Sequence, residues 1–463
     1  MRPFDRPTGA GRGAVPGSTP VSRRLSHPAA VVALSFLAAI GIGTIVLLLP
    51  WATADGSRAG LLTALFTATS AVCVTGLVVV DTGTYWSGFG QTVILVLFQL
   101  GGFGMMAAAT SLGLVVSRQL RLSTRLVLQA ETHSLALGDV RSIAKLILVV
   151  TLVVEALVTV LLALRFAFGH GMGWGDAAWH GLFHAVSAYN NAGFSTWGDS
   201  VTRFAADGWV LAPLMAAIVI GGLGFPVLHE LVLRRKAHAR ASMHTVLTLW
   251  GSAVLLAGGA LIFLLAESGN ARTLGPMGWG ERVLAAAFAS VSARTAGFNA
   301  LDIGALSTES LALHYVLMFI GGGSAGTAGG VKVTTFFLLL LIVWNEIRGH
   351  RDVEFRGRRI ESAVQRQALT VLVLSAGVVV VAVLLLLPMT ALPMEKVVFE
   401  VVSAFATVGL STGITAELPA AGQLVLVVLM FVGRVGVVTL AAALAMNHGR
   451  RSYRYPEEKP IVG

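Results

Sequence analysis

Ser403-Ala404-Phe405-Ala406-Thr407-Val408-Gly409-Leu410 is the last of four related segments in the chain. The others are Ser70-Ala71-Val72-Cys73-Val74-Thr75-Gly76-Leu77, Ser187-Ala188-Tyr189-Asn190-Asn191-Ala192-Gly193-Phe194 and Ser290-Val291-Ser292-Ala293-Arg294-Thr295-Ala296-Gly297-Phe298. Phe66, Phe183, Phe288 and Phe399 precede them in similar places. About 25 residues after each glycine comes a second glycine cluster, and four such pairs in fixed order mark a fourfold internal repeat. The second clusters are Gly101-Gly102-Phe103-Gly104, Gly221-Gly222-Leu223-Gly224, Gly321-Gly322-Gly323 and Gly433-Arg434-Val435-Gly436.

Outward from these segments, long apolar stretches occupy 28–50, 88–117, 143–167, 208–233, 245–266, 310–345, 367–389 and 422–447. Stretches of about 20 apolar residues suffice to cross a hydrocarbon core, so eight spans are expected. Between the members of each successive pair lies a half-apolar segment too short to cross, which leads into one of the four glycines. Such a segment reads as a re-entrant pore helix, followed by irregular backbone that must line a water-filled path or be buried in protein. Each unit contains two crossings, so all four start on the same side and are parallel copies able to close around an axis normal to the membrane. The expected architecture is an all-α membrane protein of four helix–pore loop–helix repeats around a central pore. Its boundaries are a cytoplasmic tail at 1–27, repeats at 28–142, 143–242, 243–365 and 366–448, and a C-terminal tail at 449–463.

Composition agrees. Of 463 residues 55% are hydrophobic and 12% charged, about half the charge of a soluble domain. The net charge of +10 lies mostly in the N-terminal tail, in the stretches Arg118–Lys145, Arg234–Arg240 and Arg348–Arg366, and in the C-terminal tail. These are alternate connections, so the positive-inside rule places them and both termini in the cytoplasm, and nucleic acid is not implied. Cys73 is the single cysteine, which excludes an internal disulfide and fits a small apolar filler. Ser22-Arg23-Arg24-Leu25 and Ala52-Thr53-Ala54 imitate a secretion signal, but the run from Pro28 to Pro50 is longer than the 7–15 residues of a signal core and reads as an uncleaved span.

A cation sheds its water only where the protein offers replacement oxygens, and selectivity filters use rings of backbone carbonyls. Glycine adopts the required backbone angles without steric cost. Gly76, Gly193, Gly297 and Gly409 meet that need once per repeat. Val74, Thr75, Asn191, Ala192, Thr295, Ala296, Thr407 and Val408 complete the four candidate filter segments. Glycine at tight helix packing is the alternative for any one of them taken singly. The ten-residue run Gly321, Gly322, Gly323, Ser324, Ala325, Gly326, Thr327, Ala328, Gly329, Gly330 sits mid-span, where a helix must break, and reads as a flexible loop beneath the filter. It is no phosphate loop, because Val331 separates Gly330 from Lys332. Lys332 and Arg434 are charges at membrane depth, which face an aqueous path or a fixed partner. Arg294 is expected to brace the filter by bonding its carbonyls. Asp81 and Asp302 either concentrate cations at the outer mouth or cap the turns that follow them.

These motifs resemble the Trk/Ktr/HKT superfamily of potassium transporters, and specifically its Ktr-type membrane subunit. The resemblance rests on Val74-Thr75-Gly76-Leu77 with Asp81, Asn191-Ala192-Gly193-Phe194-Ser195, Arg294-Thr295-Ala296-Gly297-Phe298-Asn299 with Asp302, Gly321 to Lys332, Arg434-Val435-Gly436 and Tyr455-Pro456-Glu457-Glu458. It implies a multi-pass protein of the bacterial plasma membrane. Potassium (K+) would bind at the filter carbonyls, as Gly76 is kept where sodium-preferring members have serine. The glycine loop would gate the pore with Arg434. The resemblance further implies a homodimer on a cytoplasmic nucleotide-binding regulatory ring, with the three basic loops as candidate contacts to it. The alternative for those loops is to meet anionic membrane lipid with no partner. No covalent cofactor is implied, and sodium (Na+) is one candidate activator. The same fold could instead carry sodium or ammonium. Proton-coupled secondary transport would need intramembrane acids, which are few: Glu155, Glu230 and Glu346. No catalytic constellation points to an enzyme.

Overall fold

The computed structural model describes residues 28–118, 140–237, 241–350 and 352–436. Both predicted tails, Arg121 and Arg125, the end of the last span at 437–447 and the motif Tyr455–Glu458 lie outside the described residues. The longer helices are α1 (Pro28–Leu47), α2 (Leu61–Val72), α3 (Gly88–Arg118), α4 (Val140–His170), α5 (Trp174–Asn190), α6 (Gly208–Leu223) and α7 (Phe225–Ala237). They continue with α8 (Met243–Glu267), α9 (Trp279–Ala293), α10 (Thr308–Phe319), α11 (Val333–Ile347), α12 (Ser362–Leu386), α13 (Met394–Ala406) and α14 (Ala420–Val435). A two-stranded hairpin pairs Glu354 with Arg359 and Phe355 with Arg358. Its turn residues Arg356 and Gly357 both have positive φ, the backbone that a two-residue hairpin connection demands. The sequence reading did not anticipate it.

Three helices are long and apolar enough to cross a membrane, at Lys145–His170, Met243–Glu267 and Ser362–Met389. The bent pair α6–α7 makes a fourth if counted as one span. Only 22–28% of each apolar window is buried within the protein. Surface this apolar suits a hydrocarbon solvent rather than water. Trp51, Trp174, Trp209 and Trp279 stand exposed at or near helix ends, and Trp250 and Trp344 are also exposed. Aromatic residues concentrate in this way at the two interfaces of a bilayer.

The four short segments predicted between the spans form α2, α5, α9 and α13. Each starts directly after a glycine or proline, Gly60, Gly173, Gly278 or Pro393, in extended conformation. Their last turns are among the most buried parts of the protein, and Phe66, Phe183, Phe288 and Phe399 are each 0% exposed.

Two expected spans are not continuous helices. The stretch 208–233 bends by 98° between α6 and α7, at Gly224 with φ +89° and ψ 146°. The stretch 310–345 is interrupted from Ile320 to Lys332, as the glycine run requires. Gly436, with φ +88° and ψ 134°, ends α14 in the same conformation as Gly224. In contrast α3 runs unbroken through Gly101–Gly104.

Candidate ion pathway

The four glycines form a closed ring. A Cβ placed on Gly76 would strike the carbonyl oxygen of Ala192; on Gly193, that of Ala296; on Gly297, that of Val408; on Gly409, that of Thr75. The ring therefore closes in chain order, and no side chain fits at any of its four corners. A methyl group on Gly193 would also sit 3.0 Å from the Gly297 Cα, so the ring is narrow. All four glycines have positive φ, between +69° and +93°. Two residues earlier, Val74, Asn191, Thr295 and Thr407 are non-glycine residues with φ of +52° to +75°. Each such residue is strained by roughly 1–2 kcal/mol, and strain repeated at four equivalent positions marks a functional site. Alternation of positive and negative φ over three residues turns successive carbonyls to one side, which a ring of ion-coordinating oxygens needs.

Serines in the last turn of each short helix hold this backbone. Ser70, Ser187 and Ser403 accept through their carbonyls from the amides of Thr75, Ala192 and Val408 at 2.7–2.9 Å. In the third segment Ser292 takes this role, accepting from Ala296 at 2.9 Å; Ser290 donates instead to Leu256 O. Helices α2, α5, α9 and α13 thus all end at the ring, and their C-terminal dipoles place partial negative charge there. Outside the ring lies a cavity of about 420 Å³ lined by all four glycines and by Asp81, Asp302, Ser195 and Ser411 among others. The capping expectation for the aspartates is met, and both residues also face the cavity. Asp81 accepts from the Thr84 amide and Asp302 from the Gly304 amide, both at 2.9 Å, while both residues line the cavity.

Beneath the ring, Gly321–Gly330 folds as a loop whose neck is closed by the Ile320–Val331 bridge. It fills the space where α6 breaks: Gly323 N donates to Gly222 O at 2.7 Å, Thr327 N to Gly221 O at 3.2 Å, and Phe225 N to Ala325 O at 3.2 Å. Its other side lies against α13, where a Cβ on Gly329 would strike Ala406 O and the Thr407 hydroxyl. Thr327 is the junction. Its hydroxyl accepts from Asn191 Nδ2 at 2.6 Å and donates to Tyr189 O at 3.2 Å, while its carbonyl accepts from Arg434. The same guanidinium donates to Gly101 O at 3.2 Å, so one buried network joins all four predicted repeats below the ring.

Lys332 donates to Ala328 O at 2.6 Å and folds the loop onto itself. Arg294 departs from expectation. It donates to Gly321 O at 2.9 Å and reaches Ser252 on α8, bracing the start of the loop rather than a ring carbonyl. As the C-terminal cap of α9 it is turned away from the ring, and its long side chain spans the gap to the loop. Glu155 is tied by the side-chain amides of Gln99 at 3.3 Å and Asn190 at 3.1 Å, behind α5 rather than on the ring. The second glycine clusters serve close approach: a Cβ on Gly101, Gly221 or Gly433 would strike Val72 O, Tyr189 O or Phe405 O at the end of its own short helix. Among the described residues no group of His, Cys, Asp and Glu is arranged to hold a metal ion.

Comparison with known proteins agrees with this geometry. Residues 17–453 match the TrkH family model, described as cation transport protein. The chain is 36% identical over 436 residues to the Ktr system potassium uptake protein B of Bacillus subtilis, covering 94% of this chain and 97% of that one. It is also 36% identical over 449 residues to the potassium/sodium uptake protein NtpJ of Enterococcus hirae, covering 96% and 98%. Among solved structures, the potassium transporter TrkH from Vibrio parahaemolyticus superposes with a TM-score of 0.71 at 19% identity, over 91% of this chain and 85% of that one. With a family match over nearly its whole length, this chain belongs to the TrkH family of cation transport proteins, and is a transport protein rather than an enzyme.

Proposed function

We propose that this protein is a potassium uptake conduit of the cell membrane. In this reading the chain crosses the membrane eight times as four parallel repeats, with both termini in the cytoplasm. The ring at Gly76, Gly193, Gly297 and Gly409 is the selectivity filter, with the preceding two residues of each segment supplying further carbonyls. The loop Gly321–Gly330, with Lys332 and Arg434, is the gate. One observation carries the reading: four backbones with the same pair of positive-φ residues meet in a closed glycine ring. Only a ligand bound by main-chain oxygens on the axis calls for that arrangement. The names of the relatives favour potassium, and the cavity with Asp81 and Asp302 supplies an electronegative approach. By the family resemblance the chain works as a homodimer on a cytoplasmic regulatory ring, with the basic hairpin at 354–359 a surface for that contact.

Sodium is the second reading, because one relative at 36% identity is named for potassium and sodium uptake. The experiment is growth and rubidium uptake at low external potassium in bacteria lacking their own uptake systems. Wild type should restore both. Gly297→Ser should abolish the potassium preference, because Gly297 has φ +80° and its added Cβ would meet Val408 O. Uptake that sodium supports as well as potassium establishes the second reading, and no uptake of either ion by protein present in the membrane removes both.

A further inference from the structure

The ring is fourfold in its backbone, but what holds its outer rim is not. The residue after the repeated phenylalanine is Thr67, His184, Ala289 or Glu400 in the four segments, and the residue two after the glycine is Val78, Ser195, Asn299 or Ser411. In the second and fourth segments these two positions are bonded to each other. Ser195 Oγ lies 2.9 Å from His184 Nε2, and Ser411 Oγ lies 3.1 and 3.0 Å from the two oxygens of Glu400. His184 Nδ1 lies 2.8 Å from His180 O, which leaves Nε2 of the neutral ring as the acceptor for Ser195. Both serine hydroxyls also accept from the amide two residues on, Trp197 at 3.0 Å and Gly413 at 2.9 Å. Thr415 adds a second hydroxyl to Glu400. His184 and Glu400 are each 0% exposed, while Ser195, Ser411 and Thr415 line the outer cavity.

The first and third segments lack this device. Val78 and Ala289 cannot take part, the Thr67 hydroxyl has no partner, and Asn299 bonds Leu301 O instead. Since the ring closes in chain order, the two braced segments face each other across the axis. We propose that Glu400 and His184 are positioning residues that pin the two opposite outer rims of the ring through Ser411 and Ser195, and so set how sharply the conduit discriminates potassium from sodium. The physical argument is one of stiffness. All four segments share one tie from a serine of the short helix. Ser70 and Ser403 accept from the Gly76 and Gly409 amides, and Ser187 and Ser292 donate to Phe194 O and Phe298 O. A strand with the further tie to His184 or Glu400 has less room to relax around a smaller ion and keeps its oxygens nearer the spacing for the larger one. Glu400 receives two hydroxyls, those of Ser411 and Thr415, where His184 receives one, so the fourth segment should matter more than the second.

This inference rests on the proposed cation conduit. The test is rubidium uptake by the full chain in vesicles, recorded as half-saturation for potassium and as the inhibition constant for sodium. The variants are Glu400→Ala, Glu400→Gln, Ser411→Ala, Ser195→Ala and the double variant Glu400→Ala with Ser411→Ala. Loss of the buried Ser411–Glu400 hydrogen bond should lower the potassium-over-sodium ratio roughly tenfold in Ser411→Ala, and at least as far in Glu400→Ala, which also loses the Thr415 bond. Ser195→Ala should lower it several-fold. The double variant should be no worse than Glu400→Ala, because the Ser411–Glu400 bond is already lost there. Glu400→Gln still accepts from Ser411 and should keep most of the discrimination. Should Glu400→Ala fail to reach the membrane, the two serine variants decide, since each removes one hydroxyl from a loop. A discriminating wild type with equally discriminating serine variants overturns the inference alone, and so does Glu400→Gln behaving like Glu400→Ala, which would place the effect in the charge. A wild type that moves no cation overturns the conduit reading and this inference with it.

Discussion

Thr327→Val isolates the junction of the proposed gate, because valine keeps the shape of threonine and removes only the hydroxyl. Thr327 is 1% exposed, and its hydroxyl receives Asn191 Nδ2 at 2.6 Å and reaches Tyr189 O at 3.2 Å. A neutral buried hydrogen bond nets about 1 kcal/mol, and a stranded donor adds to the loss. Asn191 retains only a long contact to Ile218 O at 3.5 Å. The substitution therefore destabilises the arrangement described here by about 1.5–2 kcal/mol, a factor of roughly ten to thirty in an equilibrium constant. If this arrangement is the closed gate, and an open gate withdraws the loop from Asn191, the penalty falls on the closed state alone. The initial rate of rubidium uptake into vesicles should then rise ten- to thirtyfold, levelling off once the open state predominates. A lowered melting temperature with an unchanged rate would mean that the bonds are the same in both states, and would refute the assignment of Thr327 to the gate. A lowered rate would refute it more directly.

Arg434→Gln removes two bonds, to Thr327 O and Gly101 O, together with a positive charge beneath the ring. Uptake should rise at least as far as in Thr327→Val, and the rate of the double variant should fall short of the product of the single effects, since the sites share a partner. Asp81→Asn and Asp302→Asn keep the caps on Thr84 and Gly304 but lose the charge in the outer cavity. Half-saturation for potassium should rise about two- to threefold at low ionic strength, and the difference should vanish in concentrated choline chloride. Asp207 fastens the start of α6 to Arg165 and His170, at 2.8 Å in each case. Burial pushes its carboxyl up, but the hydrogen bonds from Arg165, His170 and the Trp209 amide outweigh burial and hold it below its ordinary value. Its contribution is present above the ordinary carboxylate value and lost as pH falls through the lowered one. Asp207→Asn should therefore lower the melting temperature at neutral pH, and the difference from wild type should close as the pH falls through the lowered carboxyl value.

The four ring glycines are legible in the sequence because repetition supplies what a single glycine lacks. Gly76 alone is one of 53 glycines, whereas four in register after four buried phenylalanines define a position. The interruption at Gly321–Gly330 is legible for a different reason, since no helix tolerates that run at membrane depth. The bend at Gly224 is not legible in hydropathy, because Phe225, Val227 and Leu228 continue the apolar pattern. Its signal is the pair Gly224 and Pro226, a glycine at the helix end with a proline just beyond it. Arg294 shows the limit of reading a role from a neighbour. It adjoins Thr295 of the ring, yet its donors reach Gly321, which is 27 residues further along. Glu400 and His184 do carry a signal, the match between the residue after the phenylalanine and the residue two after the glycine. It emerges only when the four segments are compared with one another rather than with an outside pattern.

A conduit and its gate place opposite demands on symmetry. An ion on the axis needs equal oxygens on all sides, and in the proposed filter the main chain would supply them, so Thr75, Ala192, Ala296 and Val408 are free to differ. A single loop that crosses the axis cannot be fourfold, and the second helices diverge where it docks. The counterpart stretch in the third repeat unwinds to form the loop, and that of the second breaks at Gly224, freeing backbone groups to receive it. That of the fourth supplies Arg434 and ends at Gly436, while that of the first stays helical and offers only the Gly101 carbonyl. Four identical subunits could build the ring but would present four copies of the loop, which could not all occupy the same space. In the proposed four-repeat architecture, concatenation of unequal repeats in one chain removes that conflict, and it would account for backbone angles that repeat closely at the ring while the glycine clusters below it differ.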